Sequence, residues 1–194
     1  MSRYFDNDNT LKDEKQIIEI RLNDKKYSFY TNNGVFSKTK LDYGTRLLLE
    51  NIKNIKGHIL DLGCGYGVIG ITIANNNDVN VDMVDINDKA LELTKENAKL
   101  NHVTNVNVFN SFAYDNIKSK YNYIITNPPI RAGKEILRTF LIDAKDYLKE
   151  NGELWFVMRK DHGVKTMIKE LEQFYKITII TKDKGFYIVK CNIN

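Results

Sequence analysis

The most constraining stretch of this sequence is Asp61-Leu62-Gly63-Cys64-Gly65-Tyr66-Gly67-Val68-Ile69-Gly70. A short apolar run at 58–62 leads into it, and an apolar run of helical character follows at 68–74. The next strand pattern, 79–84, ends on Asp85. The place of this glycine-rich turn, between a strand and a helix, is what gives the pattern its meaning. Glycines there let the backbone turn tightly and come close to a bound molecule. Asp85, 18 residues after Gly67, then stands at the second strand's end, where its carboxylate can accept both hydroxyls of a ribose.

Two ligands fit that arrangement. Gly65-x-Gly67-x-x-Gly70 matches the dinucleotide fingerprint, which cradles a pyrophosphate. S-adenosylmethionine also has a ribose, has no phosphate, and carries a cationic amino group. A carboxylate at the first strand's end, Asp61, favours that cation.

The remainder alternates. Strands are predicted at 106–109, 121–126 and 153–158. Helices are predicted at 87–101, with Ala90, Leu91, Ala98 and Leu100 toward the core, at 136–148, stopped by Asn151-Gly152, and at 164–174. Strands at 176–181 and 186–191, joined through 182–185, should form an antiparallel pair. This is the pattern of an α/β fold, a mostly parallel sheet covered by helices on both faces. Upstream, 16–22 and 26–31 read as a hairpin around Asn23-Asp24, Asn32-Asn33-Gly34 as a second turn, and 43–53 as a helix with Leu47, Leu48 and Ile52 inward. The expected organisation is an N-terminal extension with a β-hairpin over 1–40, then one globular unit over 41–194.

Composition narrows the class. Hydrophobic residues make up 42% and charged residues 28%, the balance of a water-soluble globular chain. No apolar run approaches the ~20 residues of a membrane span. The polar, acidic first ten residues lack a signal-peptide pattern, so a cytoplasmic location is expected. Cys64 and Cys191 have no C-x-x-C spacing, and His58, His102 and His162 are scattered, so neither a disulfide framework nor a metal site is expected. Cys64 reads as a small buried filler. A net charge of +4 permits an anionic partner without requiring one.

Asn127-Pro128-Pro129-Ile130 closes the strand predicted at 121–126. Ligands of open parallel sheets bind beyond the carboxyl ends of the strands, so this tetrad should share a crevice with the glycine loop. Consecutive prolines stiffen the backbone and remove two donors. The Asn127 side-chain carbonyl and the Pro128 backbone carbonyl then make two adjacent acceptors. Such a pair suits a substrate –NH2 group, whose lone pair it can aim at an electrophile.

Together these residues resemble the class I S-adenosylmethionine-dependent methyltransferases, and more closely the small domain of the guanine-N2 rRNA methyltransferases, the RsmC-like family. The resemblance runs from about Tyr27 to Lys190. It includes Gly34-Val35-Phe36-Ser37, Asp42-Tyr43-Gly44-Thr45-Arg46-Leu47-Leu48, Val84-Asp85-Ile86-Asn87, Arg131-Ala132-Gly133-Lys134 and Gly152-Glu153-Leu154-Trp155. It implies a Rossmann-like seven-stranded sheet with an antiparallel last strand. It implies S-adenosylmethionine held by Gly44, Thr45, Asp61, Gly63, Cys64, Gly65, Asp85, Ile86, Ser111, Phe112 and Asn127. Asn127, Pro128, Pro129 and Ile130 would hold the target amine, that of a guanine in small-subunit (16S) rRNA. Arg131 and Lys134 would meet the RNA backbone.

Three departures from the family matter. Phe112 stands where many relatives carry an Asp that pairs with adenine, leaving backbone contacts or Ser111. Ile130 replaces the aromatic that often stacks on the target base. Longer relatives have a further N-terminal domain, so recognition here would come from this domain or a partner. Lys25, Lys26, Lys38, Lys40 and Arg46 interleave with Tyr27, Phe29, Tyr30 and Phe36, a composition that also binds RNA, though alternation favours a small core for most of these aromatics. The tetrad equally serves adenine, cytosine or a protein glutamine amide, and a catalytically degenerate RNA- or partner-binding module is a further alternative. A dehydrogenase gives no account of Asn127-Pro128-Pro129.

Overall fold

A computed structural model describes residues 15–32 and 40–194. Strands β1 (Gln16–Leu22) and β2 (Lys25–Thr31) pair antiparallel around Asn23 and Asp24, at φ of 47° and 64°. Consecutive positive φ values give the turn whose twist matches a two-residue hairpin, and Asn and Asp tolerate them best. The second expected turn at Asn33-Gly34, the Gly34–Ser37 motif and Lys38 lie outside the described residues.

Helix α1 (Tyr43–Asn51) starts at Asp42, whose carboxylate accepts the Thr45 amide at 2.9 Å. Then follow β3 (Gly57–Leu62), α2 (Val68–Asn76), β4 (Val79–Asp85), α3 (Asp88–Leu100), β5 (Val106–Asn110) and β6 (Tyr121–Thr126). The second half holds α4 (Lys134–Ile142), α5 (Ala144–Tyr147), β7 (Leu148–Arg159), α6 (Val164–Leu171), β8 (Tyr175–Asp183) and β9 (Phe186–Ile193). Seven strands form one sheet in the order β5-β4-β3-β6-β7-β9-β8, and β9 runs antiparallel to both its neighbours. This is the Rossmann-like sheet that the resemblance implies.

Alternating side chains feed two cores. Ile59, Val81, Met83, Ile125 and Val157 face α1, α2, α3 and the hairpin. Leu60, Leu62, Val84, Ile124 and Phe156 face α4, α5 and α6. Tyr27 and Phe29 are buried in the first core, as alternation suggested, and Phe29 meets Tyr66 edge-on. Lys25 and Lys26 are exposed at the hairpin end, and Arg46 reaches the Arg21 carbonyl at 2.7 Å.

Asn97 clamps the hairpin to α3. Its fully buried amide accepts the Tyr30 N–H at 2.6 Å and donates to the carbonyls of Tyr30 and Tyr66 at 3.0 and 2.8 Å. Asn97→Ala should therefore strand three backbone groups and cost about 2–4 kcal/mol. Equilibrium urea unfolding checks this. A loss below about 0.5 kcal/mol would mean that water replaces the amide.

Three sequence expectations are corrected. The helix expected over 136–148 is two helices, with Asp143 between them, and starts earlier, at Lys134. Asn151-Gly152 does not stop it, since α5 ends at Tyr147 and Leu148 already pairs with Tyr121. The next paired residues are Tyr123 and Glu153, so residues 149–152 bulge out of β7. Gly152 is required there, because a Cβ would lie 2.9 Å from the Lys149 carbonyl oxygen. Helix α6 also stops at Leu171, three residues short of the expected end.

Candidate active site

The chain leaves β3 for β4 and β5 on one side, then returns through β6 on the other. A crevice therefore opens between the carboxyl ends of β3 and β6, the topological switch point. There the structure has a cavity of about 410 Å³.

On one wall, the Gly63 and Cys64 amides both donate to the Val84 carbonyl, which folds the loop against β4. Gly65 has φ of 57°, and a Cβ there would meet no protein atom within 4 Å. Gly65 lines the cavity, so its missing side chain leaves room for a ligand. Gly70 lets α2 press on the sheet, since a Cβ would sit 2.7 Å from Met83. Asp85 ends β4 with Oδ2 accepting the Gly65 amide and Oδ1 accepting the Asn87 amide, each at 2.9 Å. Burial raises its pKa, and those amides oppose the rise. Each oxygen keeps a lone pair for a ligand hydroxyl. Ile86, Ser111 and Phe112 line the same wall. The Ser111 hydroxyl donates to the Ala113 carbonyl and accepts the Asn116 amide, so it already holds its own loop.

Asp61 is not on the cavity wall. It is fully buried, and its Oδ2 accepts the Gly70 amide at 2.8 Å. Its Oδ1 has no hydrogen-bond partner among the described residues. Burial raises its pKa to about 7. The folded protein thus binds a proton more tightly than the unfolded chain. Stability from this group is present at low pH and falls as pH rises from about 4 to about 7. Asp85, also raised, acts in the same direction. Relative to Asp61→Asn, the unliganded wild type should lose stability across that window. Thermal unfolding of both proteins at several pH values checks it, and parallel curves would refute it.

On the other wall lie Asn127, Pro128, Pro129, Ile130 and Arg131. The Asn127 Nδ2 donates to Thr45 Oγ1 at 2.9 Å and to Asp42 Oδ2 at 3.1 Å. A carboxylate cannot donate, so this contact fixes which end of the amide is nitrogen. Among the described residues, no donor meets Oδ1, which is left as an acceptor. The Pro128 carbonyl accepts the Ile130 amide at 2.9 Å and keeps a second lone pair.

Thr45 lines the cavity, whereas Gly44 does not. A Cβ at Gly44 would lie 2.8 Å from the Phe186 ring, so glycine lets α1 close against that ring. Lys134 stands off the cavity, paired with Glu170 at 2.8 Å, and that pair offsets its charge. Sequence reasoning missed Asp42, Phe186, Arg159 and His162, all on the cavity wall. Asp42 had a signal in its Asp-x-x-Thr capping spacing. Phe186, Arg159 and His162 had none, because β9 and the end of β7 reach the site only through sheet order.

A glycine loop, a carboxylate after β4 and an Asn-Pro-Pro corner after β6, on this sheet, define a class I S-adenosylmethionine-dependent methyltransferase. The family model described as "Methyltransferase small domain" matches residues 26–190, and the chain belongs to that family. It is 39% identical over 193 residues to the uncharacterized protein YbxB of Bacillus subtilis (strain 168), covering 96% of each. It is 32% identical over 178 residues to ribosomal RNA small subunit methyltransferase C of Psychromonas ingrahamii, covering 89% of this chain and 50% of that one. The chain thus spans about half the length of that rRNA methyltransferase. Among solved structures, the T. thermophilus 16S rRNA methyltransferase RsmC, in complex with AdoMet and guanosine, superposes with a TM-score of 0.81 at 20% identity. That match covers 93% of this chain and 51% of that chain, and at this identity it is a likeness of fold.

The residues present fit S-adenosylmethionine. Asp85 offers two acceptors, Gly65 leaves space, and Phe112 adds an apolar wall. Among the described residues no helix is long and apolar enough to cross a membrane, and no group of His, Cys, Asp and Glu could hold a metal ion.

Proposed function

We propose that this protein methylates the exocyclic amine of a guanine in RNA, with small-subunit rRNA as the substrate. The observation that carries the reading is the pinned amide of Asn127 beside the Pro128 carbonyl. Those two acceptors would take the two N–H bonds of the target amine. They would leave its lone pair in line with the methyl carbon, and that orientation is the main catalytic contribution. When bound, S-adenosylmethionine supplies an electrophilic methyl on a sulfonium leaving group.

The chain's residues do the rest. Asp85 would hold the ribose, and the backbone of Gly63, Cys64 and Gly65 would line the methionine end. Asp61 would support the loop from behind through Gly70. Thr45 and Asp42 would keep Asn127 oriented from α1. The amine nitrogen forms the new N–C bond as the S–C bond breaks, and the nitrogen's proton then leaves to water. The target base must be unpaired or flipped to enter the cavity. Similarity to proteins named as small-subunit rRNA methyltransferases supports rRNA as the substrate.

The test is transfer of labelled methyl from S-adenosylmethionine to rRNA of cells lacking this gene, followed by nucleoside analysis. N2-methylguanosine in small-subunit RNA is the expected product. Label in adenosine, cytidine or protein glutamine would move the reading to that amine, and no label in any fraction would overturn it.

A further inference from the structure

We propose that the rim built from the end of β7 and the β8–β9 turn is the track that seats the RNA strand carrying the target base. The inference rests on the RNA reading above. Arg159, His162 and Phe186 line the cavity together with Arg131. The Lys160 amide donates to the Gly185 carbonyl at 2.8 Å, so the end of β7 and the turn form one surface. Lys182, near the end of β8, and Lys184, on the turn, stand exposed, and Lys165 follows on the first turn of α6.

Charge selects the occupant. The rim holds Arg131, Arg159, Lys160, Lys165, Lys182 and Lys184 against Asp161 and Asp183. That excess of four positive charges equals the net charge of the whole sequence, +4. Among the described residues, Arg131, Lys160, Lys165, Lys182 and Lys184 form no ion pair, unlike Lys134 and Arg138, which share Glu170. Asp85 stands across the cavity at the glycine loop, and Asp42, beside Asn127, is occupied by the Thr45 and Asn127 donors, so a polyanion is drawn to this rim and away from the Asp85 side.

The surface is also pre-ordered. Asp161 grips Arg159 through two bonds of 2.9 and 2.8 Å, and the guanidinium lies over the Phe186 ring, 5.3 Å from its centroid. Lys184 lies 4.5 Å over the Tyr43 ring, and the Tyr43 hydroxyl donates to Asp183. A row of cations leading to the amine-binding corner, with Arg159 and Lys184 held in place, matches the repeating phosphates of one strand.

The test compares Lys160→Ala/Lys184→Ala with Lys118→Ala/Lys120→Ala, which removes equal charge just before β6, at the opposite end of the sheet. The probe is a labelled single-stranded oligoribonucleotide of about a dozen nucleotides, titrated at several salt concentrations. The rim variant should bind at least about 5-fold more weakly, and the slope of log K against log salt should fall by about 1.4, or about 0.7 per lost contact. The control should bind within about 2-fold of wild type, both variants should keep cofactor affinity, and Lys160→Arg/Lys184→Arg should restore RNA binding. Equal weakening in both double variants would overturn the track, as would equal competition by polyglutamate. If wild type methylates RNA and the rim variant keeps its affinity, the track alone fails. If wild type neither binds nor methylates RNA, the RNA reading fails and the track with it.

Discussion

Asn127→Ala should slow methyl transfer by about 10²–10³-fold while S-adenosylmethionine affinity stays within a few-fold of wild type. The amide's nitrogen end is committed to Asp42 and Thr45, so its oxygen is the part available to a substrate. Removing that acceptor removes alignment that only the transition state uses fully, so the loss belongs in kcat rather than in cofactor binding. Asn127→Asp discriminates orientation from shape. It would place a second carboxylate where Nδ2 now meets Asp42 Oδ2 at 3.1 Å, and two carboxylates that close cannot both ionise. Its activity should be low and should rise as pH falls, whereas the alanine variant should show no such rescue. Single-turnover rates with isothermal titration of the cofactor separate these outcomes. An alanine variant with wild-type turnover would remove Asn127 from the mechanism.

Asp85→Ala should act on the cofactor instead, weakening S-adenosylmethionine by about 100-fold. Two hydroxyl hydrogen bonds to a carboxylate are worth roughly 1.5 kcal/mol each, and about 3 kcal/mol is two decades in Kd. The same carboxylate also holds the amides of Gly65 and Asn87, so its loss loosens the glycine loop as well. Asp85→Asn keeps one acceptor and should fall between the two. Calorimetry with S-adenosylhomocysteine reads the effect, with circular dichroism to confirm folding. Binding within about 3-fold of wild type would place the ribose elsewhere.

Local patterns in the sequence were enough to mark three segments that line the candidate site. The glycine loop, Asp85 and the Asn-Pro-Pro corner each belong to a strand end whose identity follows from apolar runs and turn residues. Asn23-Asp24 likewise announced its hairpin, because those residues tolerate positive φ. The break at Asp143 and the bulge at 149–152 were not legible. Helix propensity continues across the first, and the second depends on how Tyr121 and Glu153 register with neighbouring strands. Nor did Ser111 show which way its hydroxyl would turn, since Ala113 and Asn116 claim it only once the loop is folded.

Legible in the chain alone were the alternation of strands and helices, the carboxylate at the end of β4, the Asn127-Pro128 corner after β6, and the family. All of these lie in short contiguous segments where spacing sets geometry. Folding, not local pattern, brought Asp42 to the Asn127 amide from 85 residues away. It also withdrew Asp61 behind the loop, paired Lys134 with Glu170, and brought Phe186 and Arg159 to the cavity. The physical reason is the order of the sheet. Inserting β9 antiparallel between β7 and β8 carries residues distant in sequence to one rim, and no local pattern encodes which strands become neighbours.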